Sequence, residues 1–149
     1  MRVIVLVENT SISKDYKSKH GLCLYIETKK HKLLFDLGSN SLFLENAVKL
    51  GVNITDIDSV IISHGHNDHG GALKYFLENN AKANIYISRY AFEEYYANFL
   101  GMKWNVGLDR KLKDHPRIIL IEDEYVIDEE LQIFSNKELY AYRLKIKSK

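Results

Sequence analysis

The sequence predicts an α/β fold, with helices packed on one face of a mixed β-sheet. Three observations predict it. Short β-branched runs recur along the chain, each of strand length and bounded by polar or glycine-containing breaks. Segments between them place apolar residues at helical spacing. The middle of the chain then alternates strand, helix, strand, helix, strand, the order that lays helices on a sheet. At 149 residues the chain suits one domain, 1–149, and can bury a real core.

Taken in order, "RVIVLVE" (Arg2 to Glu8) reads as a buried strand. Asn9 to His20 is polar and irregular, a loop. "LCLYIET" and "HKLLFDL" flank Lys29-Lys30 in a hairpin pattern, with His31 in the turn. Gly38 to Ser41 break the strand and offer N-caps. Leu42, Phe43, Ala47 and Leu50 then follow helical spacing, and Gly51 suits the position after the helix. "SVII" is a strand, "GGALKYFLEN" a helix with Leu73, Phe76 and Leu77 on one face, and "ANIYIS" a strand. "RYAFEEYYANFL" reads as a helix with an aromatic stripe, which either packs on the sheet or lines a pocket. "RIILIE" is a strand, "EDEYVIDEE" a solvated acidic turn, and "EELQIFS" and "ELYAYRLKI" two antiparallel strands.

Composition excludes several classes. The formal net charge is +1, so no basic footprint marks a nucleic-acid binder and no polybasic patch marks a membrane surface. No apolar run approaches a membrane span, and the N-terminus lacks the pattern of a secretory signal. Cys23 is the single cysteine, which rules out a disulfide within the chain and favours a reducing, cytoplasmic setting. Its place inside a strand suits a small buried side chain rather than a nucleophile.

The chemistry concentrates in "VIISHGHNDHGGALKYF". Three of the six histidines and one aspartate, His64, His66, Asp68 and His69, follow directly on a strand. Ligands in α/β sheets collect at the carboxyl ends of strands. Imidazole and carboxylate suit zinc, and also iron or manganese. Gly65 and the Gly70-Gly71 pair remove side chains that would crowd an ion. Such a site makes a nucleophile by lowering the pKa of bound water to about 7, and two ions roughly 3.5–4 Å apart can hold both attacking and leaving oxygens. Asp68 would coordinate and also orient the attacking water, as the catalytic group. Against this stands the plain reading, three surface histidines in a loop.

"SHGHNDHGGAL" resembles the signature of the metallo-β-lactamase superfamily. "HGLCLYIETKKHKLLFDLGSN" is similar to the family's early strands and aspartate-glycine turn, and "NAVKLGVNITDIDSVIISHGHNDHGGAL" to the run into the metal motif. "VEN" near the start and "HGL" at His20 resemble most the dihydropterin-ribofuranosylaminobenzene-phosphate synthase-like branch. The resemblance implies a hydrolase in which His64 and His66 serve one metal ion and Asp68 and His69 a second, up to two zinc (or iron or manganese) ions. The substrate would be a small molecule of ester or phosphoester type. Asp36 in "FDLG" matches a buried aspartate below the site; on the residues alone it is equally a turn residue.

The family fold is a sandwich of two sheets with helices outside, αββα, and its second half supplies further ligands. Here His115 is the one histidine after His69, and it precedes a predicted strand, which places it at the end away from the site. His20 borders the pocket by analogy. The sequence therefore predicts a metallo-β-lactamase-like half sandwich without its second half. Its inner sheet face would lie open, and such patches are rare in soluble monomers. A homodimer is the expected cover, with "ELYAYRLKI" as the contact. The alternative is a catalytically degenerate member that acts as a metal-binding or interaction module.

Overall fold

The computed structural model describes residues 1–136 and 141–147. Its main sheet has six strands in the order β1 (Arg2–Val7), β2 (Cys23–Glu27), β3 (Lys32–Phe35), β4 (Ser59–Ile62), β5 (Asn84–Ser88) and β8 (Ile118–Ile121). The first three form an antiparallel meander, and β3, β4, β5 and β8 run parallel, so the sheet is mixed. Between β5 and β8 a separate ribbon is made of β6 (Tyr96–Phe99) and β7 (Met102–Asn105). After β8, the strands β9 (Glu124–Val126), β10 (Leu131–Asn136) and β11 (Ala141–Ile146) form a three-stranded sheet. The α-helices are α1 (Leu42–Lys49), α2 (Asn67–Gly70) and α3 (Leu73–Asn79).

Strand alternation sends the central residues to two cores. Leu34, Val60, Ile62, Ile85 and Ile87 meet Phe43, Ala47, Leu73 and Phe76 from α1 and α3. Leu33, Ile61 and Tyr86 point the other way and meet Leu131, Ile133 and Tyr142. All four residues of β4 are buried, which explains the unbroken apolar run that delivers the histidines. Helix α1 ends at Gly51, whose φ of +69° is the left-handed stop its position predicts.

Four expectations need correction. The aromatic segment Arg89 to Leu100 is not a helix. Ala91 and Phe92 are buried in a turn, and Tyr96 onward forms the ribbon. Leu100 and Gly101 both take positive φ, 49° and 77°, which is the tight-turn geometry that matches strand twist. Tyr-Ala-Asn-Phe alternates as a strand does, and this local pattern overrides the helical spacing of the aromatics. Second, the acidic stretch is not wholly a turn, since Glu124–Val126 is β9. Third, β1 is buried only at its end; Val3 and Val5 are about half exposed.

Fourth, the inner face of the main sheet is largely covered by this chain itself. Leu33 and Ile61 are fully buried beneath β10 and β11. β11 pairs with β10 in the register Ile133↔Leu144, and Tyr142 is 3% exposed with its hydroxyl donating to Ile121 O at 2.7 Å. That side chain is therefore used within the chain. Leu139 and Tyr140, also expected at a contact with a second copy, lie outside the described residues.

The β9–β11 sheet is pinned to the main one by a charged knot. His31, in the β2–β3 turn, directs Nδ1 to Asp58 Oδ1 at 3.0 Å and Nε2 to Asp128 Oδ2 at 2.8 Å. Glu130 beside it accepts from the Thr28 hydroxyl at 2.7 Å. Burial pushes the His31 value down, but its two carboxylate partners outweigh that and raise it. The hydrogen bond from His31 is the main cause that holds Asp128 at about 2. A carboxyl held low stabilises above its unfolded value and loses that as pH falls through the folded one. An imidazole held high stabilises below its unfolded value and loses that as pH rises through the folded one. The knot is therefore strongest from about pH 4 to about pH 6.5. His31→Gln is expected to lower stability by on the order of 1 kcal/mol within that window. In thermal melts across pH, its gap from the parent should narrow as pH falls towards about 2 and as pH rises past the raised His31 value.

Candidate metal centre

The site forms where the carboxyl ends of β3 and β4 lie side by side. Asp36 N–H donates to Ile61 O at 2.9 Å, and Leu37 N–H to His69 O at 2.7 Å. This binds the end of β3 to the loop after β4. Asp36 takes a positive φ of 57°, uncommon for an aspartate, and its side chain is fully buried. Oδ1 accepts from Ser63 N–H at 2.7 Å, and Oδ2 from Ser63 Oγ–H and His69 Nδ1–H, each at 2.8 Å. Ser63 Oγ also lies 2.9 Å from His64 Nδ1. With its one proton given to Asp36, the hydroxyl accepts from His64 Nδ1–H. Both His64 and His69 are thus held at Nδ1, which leaves each Nε2 with a lone pair for a ligand.

Donor atoms of His64, Asp68 and His69 all lie within 4.8 Å of one another. The His64 ring is 4.2 Å from that of His69 and 4.7 Å from that of His66. The grouping thus joins His64 to Asp68 and His69, with His66 on the flank, where its ring meets Tyr95 edge-on at 5.2 Å. Burial, then the neighbouring His69 and His66, push His64 down, which favours the neutral, ligating imidazole. Burial also acts downward on His69, but the Asp36 hydrogen bond and charge prevail and raise it. The donor set, two imidazoles and a carboxylate with their backs anchored, fits a divalent ion of the zinc type.

Two glycines make the close approaches possible. A Cβ on Gly21 would stand 2.1 Å from Asp68 O, and its φ is +129°. A Cβ on Gly65 would stand 2.4 Å from Ala91 O and 2.6 Å from the Tyr95 ring. The first lets the His20-Gly21-Leu22 loop lie against the metal loop. There Leu22 N–H donates to Asp68 O at 3.3 Å, and His20 Nε2 lies 3.2 Å from Asp68 Oδ2. Glu8, Asn9 and His20 line a small cleft with Asp68 and His69.

The structure therefore brings His64, His66, Asp68, His69 and Asp36 together and sets His20 at the rim. His115 precedes β8, which runs parallel to β4 through β5, so it sits at the opposite end of the sheet. Ser63 is not among the sequence candidates; it directly precedes His64, and an adjacent hydroxyl is the one available signal. Tyr95 belongs to the aromatic stripe that the sequence reads as packing or pocket-lining, and its ring lies beside His66 although its segment is not a helix.

The family model of the metallo-β-lactamase superfamily matches residues 19–137. An uncharacterised protein of Methanocaldococcus jannaschii is 32% identical over 132 residues, 85% of this chain and 50% of that protein. A crystal structure of a metal-dependent hydrolase of the β-lactamase superfamily superposes with a TM-score of 0.68 at 26% identity, over 89% of this chain and 46% of that one. A quorum-quenching N-acyl homoserine lactone lactonase shares the fold, with a TM-score of 0.55 at 19% identity over 76% of this chain and 49% of that one. The chain belongs to the metallo-β-lactamase superfamily. It spans about half the length of the relatives it matches.

Asp36 is the group to change. Asp36→Asn keeps the shape and removes the charge that orients both imidazoles. Zinc affinity, measured by competition with a chromophoric chelator, is expected to fall about 10- to 100-fold.

Proposed function

We propose that this chain carries the metal-binding half of a hydrolase centre for small ester or phosphoester substrates. The observation that carries the reading is the anchored convergence of His64, Asp68 and His69 within 4.8 Å. His64, His66, Asp68 and His69 would hold zinc, or iron or manganese, as one or up to two ions. The ion would supply Lewis acidity and a water of lowered pKa. Asp68 would both ligate and accept a proton, with His20 beside it. Asp36 and Ser63 fix the imidazole tautomers and keep the donors aimed outward.

A catalytic zinc site takes three protein ligands and keeps one open position. His64, Asp68 and His69 meet that count for one ion; a second needs more donors than the described residues gather. We assign the remaining ligands to a second polypeptide, with a homodimer as the simplest case. The strip formed by Val3, Val5, Leu24 and Phe35 supports this, since cross-strand pairing puts all four on one side of the sheet and Val3 and Val5 are half exposed. A reducing, cytoplasmic setting fits the one buried cysteine. A second reading, a metal-binding or interaction module without turnover, is favoured by the position of His115 at the opposite end of the sheet from the other histidines.

The deciding experiment is elemental analysis of protein purified without chelator or histidine tag, with mass in solution and turnover on ester and phosphoester panels. One or two ions per chain in a dimer, with turnover lost in His66→Ala, is the expected result. Ions without turnover would favour a metal-binding module, and a folded protein without metal would overturn the hydrolase reading and leave an interaction module.

A further inference from the structure

The ribbon of β6 and β7 is unexplained by the reading above. Among the described residues it joins no other strand, and all eight of its residues are exposed. Cross-strand partners share a face. The register Tyr96↔Asn105, Ala97↔Trp104, Asn98↔Lys103, Phe99↔Met102 therefore sorts the ribbon into two sides. Tyr96, Asn98, Lys103 and Asn105 make a polar one. Ala97, Phe99, Met102 and Trp104 make an apolar one, with Phe99 65%, Met102 57% and Trp104 56% exposed. Large apolar side chains gathered on one face of a thin ribbon call for a cover.

The base of the ribbon shows what that cover is. Val106 N–H donates to Tyr95 O at 2.8 Å, which extends the ladder by one pair. By alternation Tyr95 stands on the apolar side, and it is the residue whose ring meets His66 at 5.2 Å. Asn67 N–H, in the metal loop, donates to Val106 O at 2.7 Å, and His66 bridges to Gly107. The ribbon thus rises from the metal loop, and its apolar side is continuous with the His66 flank. At about 3.4 Å per residue, the Ala97–Trp104 pair lies about 7 Å beyond Tyr95 and the Phe99–Met102 pair about 14 Å. Ala97 is the small member of this row, so it leaves a notch between Tyr95 and Phe99 and across from Trp104.

We infer that the apolar side of the ribbon is a specificity wall for the proposed centre and takes the alkyl or aryl arm of a substrate whose polar head lies at His64, Asp68 and His69. The inference rests on the metal reading above and adds the substrate class: small molecules with an apolar arm long enough to pass Ala97 and Trp104. Lys103 and Asn98, on the other side, take no part.

Trp104 is the chain's one tryptophan, so its fluorescence reports on this wall alone. The test uses cobalt(II)-loaded protein and straight-chain alkyl hydroxamates from acetyl to decanoyl. Cobalt absorption reports the head group and Trp104 emission reports the arm. The quantity read is the ratio of acetyl to decanoyl Kd within each variant. For the parent the ratio is expected to reach about 100-fold or more, since each fully buried methylene is worth about fourfold. The ratio should collapse towards one in Trp104→Ala and Phe99→Ser, fall in Ala97→Trp, and hold in Lys103→Ala. Cobalt and hydroxamate bound with a flat ratio in the parent would overturn the inference and leave the metal reading intact. A ratio unchanged in Trp104→Ala would overturn it too, as would a Trp104→Ala variant that alters only the oligomeric mass, which would assign the wall to a second copy. Absence of a cobalt site would overturn the metal reading and this inference together.

Discussion

The fully buried carboxylate of Asp36 is the constraint on which the rest of the site depends. It accepts from Ser63 N–H, Ser63 Oγ–H and His69 Nδ1–H within 2.8 Å, so a single negative charge is compensated by three donors. A buried charge with fewer partners would be costly. Those partners are what tie the metal loop to the strand beside it. The left-handed backbone at Asp36 belongs to the same arrangement, because it turns the side chain beneath the loop. Loop position, imidazole tautomer and strand pairing are thereby one problem with one solution.

Much of this was legible in the sequence, for identifiable reasons. The strands of the main sheet are β-branched runs of the right length, and β4 emerges as Ser59–Ile62 because its four residues face two cores at once. The histidine cluster was legible because ligand spacing after a buried strand is a local signal. Asp36 is a long-range partner of His69, 33 residues away, and nothing local separated that role from a turn aspartate. The ribbon was missed because aromatic residues three and four apart satisfy the helical period, while the positive φ at Leu100 is a turn property that leucine seldom signals.

The expectation of an open inner face failed for a related reason. The lack of downstream ligands suggests a bare inner face, but the last three strands fold back and bury Leu33, Ile61 and Tyr86. What stays uncovered is narrower and lies at the β1 side, around Val3 and Val5. The chain thus closes most of its own second core and presents an edge, rather than a whole face, to any further polypeptide. The knot of His31, Asp58 and Asp128 works at the opposite end of the strands from the histidines, so the meander is fastened at both ends.

The last strand is also fastened at the histidine end. Tyr142, in β11, donates its backbone N–H to Ser63 O at 2.7 Å, one residue before His64. Docking of the last strand and positioning of the first ligand therefore share a hydrogen bond. By linkage, an ion that prefers the ordered loop also favours the docked strand, and a docked strand favours the ion by the same factor. The C-terminal strand would in that sense be a thermodynamic partner of any ion held there, although none of its side chains belongs to the donor set.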